Sequence, residues 1–407
     1  MKEYLKLAWR NIWRNKRRTL ITIASVFFAM FFALIMRSLQ IGSYSQMIRS
    51  VVGAFTGYLQ IHKNGYWDDK TLDYTFENNT QLISDLENNK NITTVIPRFE
   101  SFALASTGEQ TKGIMVVGID PAREKEMTHP DRNIISGEYL TSESSGVMVS
   151  KRLAEFLNLS LGDTVTLLSQ GYHGATAAGI YPVTAILKLP NPEMDRRLIY
   201  MNIKTAQEFY GAYNMLTSLI INVDDQDIIQ DTKQKITAMI NGGEYEVMDW
   251  KELNPELVQQ IQSDQYGGYI MLGVLYLIVG FGVLGTLIMM TTERKREFAV
   301  MVAVGMQKTK LGSILIFEMI LMGLLGIMAA IIGSLPVILL LIKYPIRFTG
   351  EVAEIFEMYG FEPIMPASLE SGFFIGQSIV VIVIFFLAII YPALTVFRIN
   401  EIKALRS

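Results

Sequence analysis

Five consecutive charged residues, Glu293, Arg294, Lys295, Arg296 and Glu297, separate two long apolar stretches. A run of this kind can pair with another protein across an aqueous interface, or it can close on itself. Arg294 and Glu297 stand three apart, and such a pair on a helix contributes roughly 0.2–0.5 kcal/mol. Glu318 is the other residue whose type demands a role, because a carboxylate inside an apolar run is costly and often functional. It either pairs with basic residues near the adjacent end of the run, faces a wet interior, or serves a proton or ion path. No second carboxylate accompanies it within the apolar runs, which favours the structural reading.

Other reactive chemistry has little footing. His62, His129 and His173 are widely separated, no H-E-x-x-H exists, and they read as polar surface residues rather than metal ligands. No Gly-rich turn leads into Gly-Lys-Ser/Thr, so the chain is not expected to hydrolyse ATP itself. There is no G-x-S-x-G and no cysteine. The pairs Asp68-Asp69 and Asp224-Asp225 lie in turn-like sequence and read as solvated. No catalytic residues, metal site or cofactor are expected.

The elements that must position the charged run are four apolar blocks, each long enough to cross a hydrocarbon core of ~30 Å as a helix of roughly 20 residues. The expected spans are 19–39, 267–292, 311–342 and 373–397. A cleaved signal peptide is the alternative for the first. Its apolar run is too long and lacks a small-residue cleavage site, so a retained anchor is preferred. Basic residues flank the spans unevenly: Lys2, Lys6, Arg10, Arg14, Lys16, Arg17 and Arg18 precede the first, five basic residues occupy 293–310, and Arg398, Lys403 and Arg406 follow the last. The loop 343–372 carries two basic residues and five glutamates, and its prolines suggest a capping turn. Both termini, the loop 293–310 and the tail 398–407 are therefore expected on the cytoplasmic side of the membrane, with 40–266 outside. Residues 37–267 hold 29 acidic and 19 basic side chains, which argues against nucleic acid as a partner.

Residues 1–18 place Tyr4, Leu5, Ala8, Trp9, Ile12 and Trp13 on one helical face and Lys6, Arg10, Asn11, Arg14 and Arg17 on the other, the pattern of a helix lying in the membrane interface against lipid. The external segment predicts a mixed α/β domain. Strand-like runs fall at 57–63, 93–106, 112–119, 146–150, 163–170, 181–189, 197–203 and 218–223, and helical patterns at 80–88, 151–158, 204–213 and 225–240. Gly162-Asp163, Asn191-Pro192 and Gly242-Gly243 punctuate them as turns. Residues 252–270 read as a helical stalk running into the second span. Gly280, Gly282 and Gly285 in that span, and Gly323, Gly326, Ala330 and Gly333 in the third, permit close helix approach within the chain or at a dimer seam.

The stretch "ERKREFAVMVAVGMQKTKLGSILIFEMILMGLLGIMAAIIG" (293–333) resembles the core of FtsX-like ABC transporter permeases. So do the opening "LAWRNIWRNKRRTLIT" and the closing "YPALTVFRINEIKALR". Four spans with a large domain after the first are similar to the MacB and LolC/LolE group, as are "ISGEYLTSESSGVMVSKRLAEFLNLSLGDTVTLLSQ", "VVGIDPAREKE" and "YPVTAILKLPNPEMDRRLIYMNIKTAQEFYG". The resemblance implies that 293–310 forms a coupling helix docked on a separate cytoplasmic ATPase dimer. Glu293, Arg294 and Glu297 would be polar contacts or helix-fixing pairs, Phe298 and Met301 anchors, and Ala303 and Gly305 a close-packed exit.

It further implies mechanical transmission through the stalks to the external domains of two permeases, a second copy or a paralogue. Lipoprotein release is the first expectation. Export of a peptide, antibiotic or siderophore with a periplasmic adaptor is the second, and regulation of a cell-wall hydrolase the third. The segment "SQGYHGATAAG" (169–179) is a candidate loop for a periplasmic chaperone.

Overall fold

The computed structural model describes residues 2–14, 16–223, 228–240, 243–358 and 362–397. The tail 398–407, the Asp224-Asp225 pair and Gly242 lie outside the described residues, as do the side chains of Tyr4, Leu5 and Arg18. The chain divides into two compact units, one formed by 1–44, 260–347 and 364–407 and the other by 45–259 and 348–363.

The first unit is helical. Its helices are α1 (Lys2–Arg14), α2 (Lys16–Ile48), α3 (Pro255–Glu293), α4 (Lys295–Ala303), α5 (Lys308–Lys343) and α6 (Ser371–Phe397). Among the described residues, four helices are long and apolar enough to cross a membrane: Thr19–Gly53, Pro255–Glu293, Lys308–Lys343 and Ser371–Val396. With lipid tails as apolar as leucine, such helices associate by close packing, so small residues decide which faces meet. On α5, a Cβ at Gly326 would lie 2.7 Å from Val26 of α2, and one at Gly323 2.9 Å from Phe385 of α6. At Gly333 it would meet Phe27 at 3.1 Å. Ala330 is fully buried in the same core. On α3, Gly280 faces Ile384 of α6 at 3.2 Å, whereas Gly282 and Gly285 face open space. The Tyr276 hydroxyl donates to Gln377 and ties α3 to α6. The short α1 buries Ala8 and Ile12 against α5 and leaves Trp9 and Trp13 half exposed, edge to face at 6.0 Å.

The second unit is α/β around a ten-stranded sheet: β1 (Leu59–Lys63), β2 (Ile92–Ser106), β3 (Thr111–Ile119), β4 (Ile134–Gly137), β5 (Val147–Ser150), β6 (Thr164–Gln170), β7 (Thr176–Leu187), β8 (Leu198–Asn202), β9 (Ser218–Val223) and β10 (Tyr245–Asp249). The order is β10-β1-β9-β2-β3-β8-β5-β7-β4, with β6 paired to β2 and β7. Pairs β3-β8 and β5-β7 are parallel and the rest antiparallel. The long β2 changes partner along its length: its first half pairs with β9, and from Arg98 onward it pairs with β3. Helices Lys151–Leu157 and Ile203–Tyr210 bury Leu153, Ala154, Leu157, Ala206, Phe209 and Tyr210 in the core on the second half. Asn79, Asp120 and Asn202 each accept backbone N–H bonds at the start of a helix, and Asp249 forms a full capping box with Glu252.

Several expectations need adjustment. Strand β7 starts at Thr176 rather than at Tyr181, and the short strands β4 and β10 went unpredicted. Asn191-Pro192 opens a one-turn helix, Pro192–Asp195, because asparagine caps it and proline suits its first position. The helix into the second span begins at Pro255, after a separate capped turn, Trp250–Leu253. The loop 343–372 is more than a capping turn: Ile346–Arg347 pairs with Ile364–Met365, and Glu351–Met358 is helical.

Helix α2 continues into a π-helical segment, Arg49–Thr56, which ends on Gly57 at φ +69. A side chain there would strike Ile220 of β9, so both conformation and space require glycine. Behind this segment lies a fully buried cation. Arg98 meets Glu124 through Nε at 3.0 Å and Nη2 at 2.5 Å, donates to the Phe55 carbonyl at 2.8 Å and reaches Glu100 at 3.4 Å. Burial raises the Glu100 carboxyl above its ordinary value, opposed by Arg98.

Candidate functional site

The charged run occupies the junction between α3 and α5. Helix α3 ends at Glu293, Arg294 leaves helical geometry at φ −92 and ψ 4, and α4 begins at Lys295. At its far end α4 stops at Ala303, Val304 is non-helical, and Gly305 takes φ +105. A nine-residue helix is thus held between two non-helical joints.

Its faces differ sharply. Phe298 and Ala299 are buried in the same core as Leu311, Leu315 and Met319 of α5, and Met301 is partly buried against it. Lys295, Arg296, Glu297, Ala303 and Gly305 are exposed, and Glu293 lies at the surface. Two apolar side chains remain in the open, Val300 at 47% and Val304 at 84%.

Arg294 turns inward. Its Nη1 lies 2.9 Å from both carboxylate oxygens of Glu318 on α5, its Nε lies 3.5 Å from Glu297, and its guanidinium sits 5.1 Å from the Phe298 ring. Glu297 in turn accepts from Arg14 of α1 at 2.7 Å. Four charges of alternating sign, Arg14, Glu297, Arg294 and Glu318, therefore run from the surface inward across three helices.

This geometry corrects the expected roles. Phe298 is no anchor for a docking partner, because it is 1% exposed and spent in the chain's own core. Arg294 is no surface contact, because it is 8% exposed and both carboxylates it can reach belong to its own chain. Glu318 takes the structural role, with Arg294 as its basic partner. The i,i+3 pair between Arg294 and Glu297 does form, within a larger network that includes Arg14. Arg14 was legible only as one of many cations, since no local pattern joins residues 283 apart.

In the external unit, His62 is fully buried rather than on the surface. Among the described residues, no group of three or more His, Cys, Asp or Glu side chains is placed to hold a metal ion. The proposed loop 169–179 is a β6-β7 hairpin whose irregular part spans only 171–175, because strand pairing holds Ser169 to Ala177 and Gln170 to Thr176. Beside it, paired positions on β2, β6 and β7 turn Phe102, Leu104, Leu168 and Ile180 to one face, all at least 45% exposed.

Comparison with known proteins bears on this arrangement. Residues 269–400 match the FtsX-like permease C-terminal domain, and residues 19–239 the MacB-like periplasmic core domain. The lipoprotein-releasing system transmembrane protein LolC of Xylella fastidiosa is 24% identical over 325 residues, 76% of each chain. Its namesake in Neisseria meningitidis serogroup B is 21% identical over 276 residues, covering 66% of this chain and 65% of the relative. Among solved structures, the periplasmic region of MacB from Actinobacillus actinomycetemcomitans aligns with a TM-score of 0.37 and 15% identity, over 54% of this chain and 98% of that one. Since one matched domain spans more than half of the sequence and the other carries the charged junction with the spans on either side, the protein belongs to the FtsX-like and MacB-like ABC transporter permeases.

Proposed function

We propose that this chain is the permease subunit of a mechanotransmission complex, in which α4 docks on a cytoplasmic ATPase dimer and passes nucleotide-driven movement to the spans. The observation that carries this reading is the surface of α4. Val300 and Val304 stand exposed beside Lys295, Arg296 and Glu297, while the opposite face is fixed in the helix core. An apolar pair rimmed by charge, formed by a short helix anchored from behind and the residue just after its end, has the anatomy of a protein-binding patch.

Lipoprotein release from the inner membrane is the proposed activity, supported by the similarity to two chains named LolC. A second permease, as copy or paralogue, completes the complex. The external hairpin 171–175 and the apolar strand face beside it form the candidate surface for a periplasmic chaperone or adaptor. Export of a small molecule or peptide through an adaptor remains the alternative, favoured by the MacB-like external domain.

The test is gentle isolation of the tagged chain from native membranes with mass spectrometry of what accompanies it. Recovery of an ATPase with acylated lipoproteins supports release, and recovery of an adaptor with an outer-membrane channel supports export. Absence of an ATPase refutes both. Val304→Asp puts a charge into the exposed apolar pair and is expected to weaken ATPase capture by ~10-fold or more, the scale of an interface hot spot. Undiminished capture by a folded Val304→Asp chain would move the docking site elsewhere.

A further inference from the structure

We propose that Arg294 is a positioning residue that locks α4 to α5, so that displacement of α4 is delivered to α5 instead of being absorbed at the α3-α4 joint. The proposal rests on α4 being the ATPase-docking helix, and it adds the route by which movement leaves that helix.

Three observations carry it. First, the residue at the joint is the residue that makes the lock: Arg294 has the only non-helical backbone between Glu293 and Ala303 and also spans to Glu318. A short helix between two non-helical joints can swing, and apolar contact through Phe298 and Ala299 alone is non-directional and permits sliding. Second, the lock is directional and excluded from water. One guanidinium nitrogen sits 2.9 Å from both Glu318 oxygens, with Arg294 8% and Glu318 3% exposed. Charge-assisted pairs of this kind fix geometry as well as binding, and in low dielectric neither member separates without leaving a buried charge unpaired. Third, the lock is braced on its outer side. Glu297 lies 3.5 Å from Arg294 and accepts from Arg14 at 2.7 Å, and α1 itself packs on α5 through Ala8 and Ile12. Helices α1, α4 and α5 thereby form a closed loop of contacts. Helix α3 joins that loop in the chain through the non-helical joint and packs on the same core through Val283, Leu287 and Met290.

Glu318 lies ten residues into α5, about 15 Å along its axis. A pull on α4 is therefore applied to the body of the third span rather than to its frayed end. The pair itself requires only opposite charges at the joint and on α5, but Glu297, 3.5 Å from Arg294, favours the cation at the joint.

Because the chain contains no cysteine, two can be introduced for spin labels, Lys295→Cys on α4 and Leu324→Cys on the exposed side of α5. The label-to-label distance is expected to be narrow in the permease alone, and ATPase capture and coupling are read in the unlabelled chain. In Glu318→Gln the distribution should broaden. The complex should still capture the ATPase, while external-domain movement or cargo release per ATP falls ~10-fold. The exchange Arg294→Glu with Glu318→Arg, made together with Glu297→Gln so that no second carboxylate faces the joint, should restore the narrow distance in the permease alone, which a general loss of stability would not allow.

A folded Glu318→Gln chain with an unchanged distance and full coupling overturns the lock. So does a folded triple variant whose distance stays broad. If the wild-type chain captures no ATPase, the docking reading fails separately. The distances in the permease alone then still decide whether Arg294 holds α4 to α5.

Discussion

His62 lies in β1 with no exposed surface, its ring stacked on Trp67 at 5.5 Å and its Nε2 2.8 Å from the Gln60 side-chain oxygen, which makes Nε2 the proton-bearing nitrogen. Its Nδ1 has no hydrogen-bond partner. Burial, with Lys70 adding to it, lowers its pKa from 6.5 to about 3. The folded form thus binds fewer protons than the unfolded form between these values, so stability falls as the pH drops from 6.5 toward about 3. The slope approaches ~1.4 kcal/mol per pH unit. Comparison of thermal unfolding between the wild type and His62→Gln across pH 7 to 4 should show a difference that shrinks and then reverses in favour of the variant at low pH. A constant offset would show that His62 does not titrate on unfolding. The sequence hid this residue for a definite reason. In "LQIHK" the alternation marks Gln60 and His62 as an outward face, but β1 is an inner strand between β10 and β9 with both faces covered. Glu318 was more legible, since a carboxylate in an apolar run announces its need for a partner. The partner itself, 24 residues away across a joint, was not marked by any local pattern.

Helix-scale packing divides the glycines that sequence grouped together. Small-residue spacing is the same on a face that meets another helix of the chain and on one that does not, so only the neighbours distinguish them. Gly326 and Gly333 let α5 approach α2, and Gly323 lets it approach α6, but Gly282 and Gly285 open onto a face of α3 that also exposes Ile278, Phe281 and Met289. Helix α3 is the least enclosed span, with 17% of its most apolar window buried against 39% for α2 and α6. Gly326→Leu must push aside Val26 and is expected to cost ~1–3 kcal/mol, the usual penalty of overpacking, read as a lower unfolding temperature in detergent. Gly282→Leu should leave that temperature unchanged while reducing the cross-linked permease pair, if α3 supplies the seam. Equal destabilisation by both would mean that α3 is enclosed within the single chain after all. Long β-branched runs such as β2, β3 and β9 declared themselves, whereas the four-residue β4 and the five-residue β10 are ordered by the strands beside them.

For the whole molecule, the unequal distribution of charge is the strongest topological statement in the sequence. Residues 37–267 carry a net excess of acid, 29 against 19, while the first 18 residues and the 293–310 junction are basic. With four crossings and the positive-inside bias, the proposed topology puts the basic segment before the first span and α4 together on the cytoplasmic side. The Arg14 to Glu297 contact agrees with it, since the residue before the first span and the residue after the second meet at 2.7 Å and must share a side. The absence of native cysteine makes the assignment measurable with single substitutions. Tyr213→Cys, at a position 70% exposed in the external unit, should react with a membrane-impermeant maleimide in cells whose outer membrane has been permeabilised. Arg296→Cys, on the exposed face of α4, should react only after the inner membrane is opened. The reverse pattern would place α4 outside, where no ATP-driven subunit could reach it, and would remove the docking function and the route through Arg294 together.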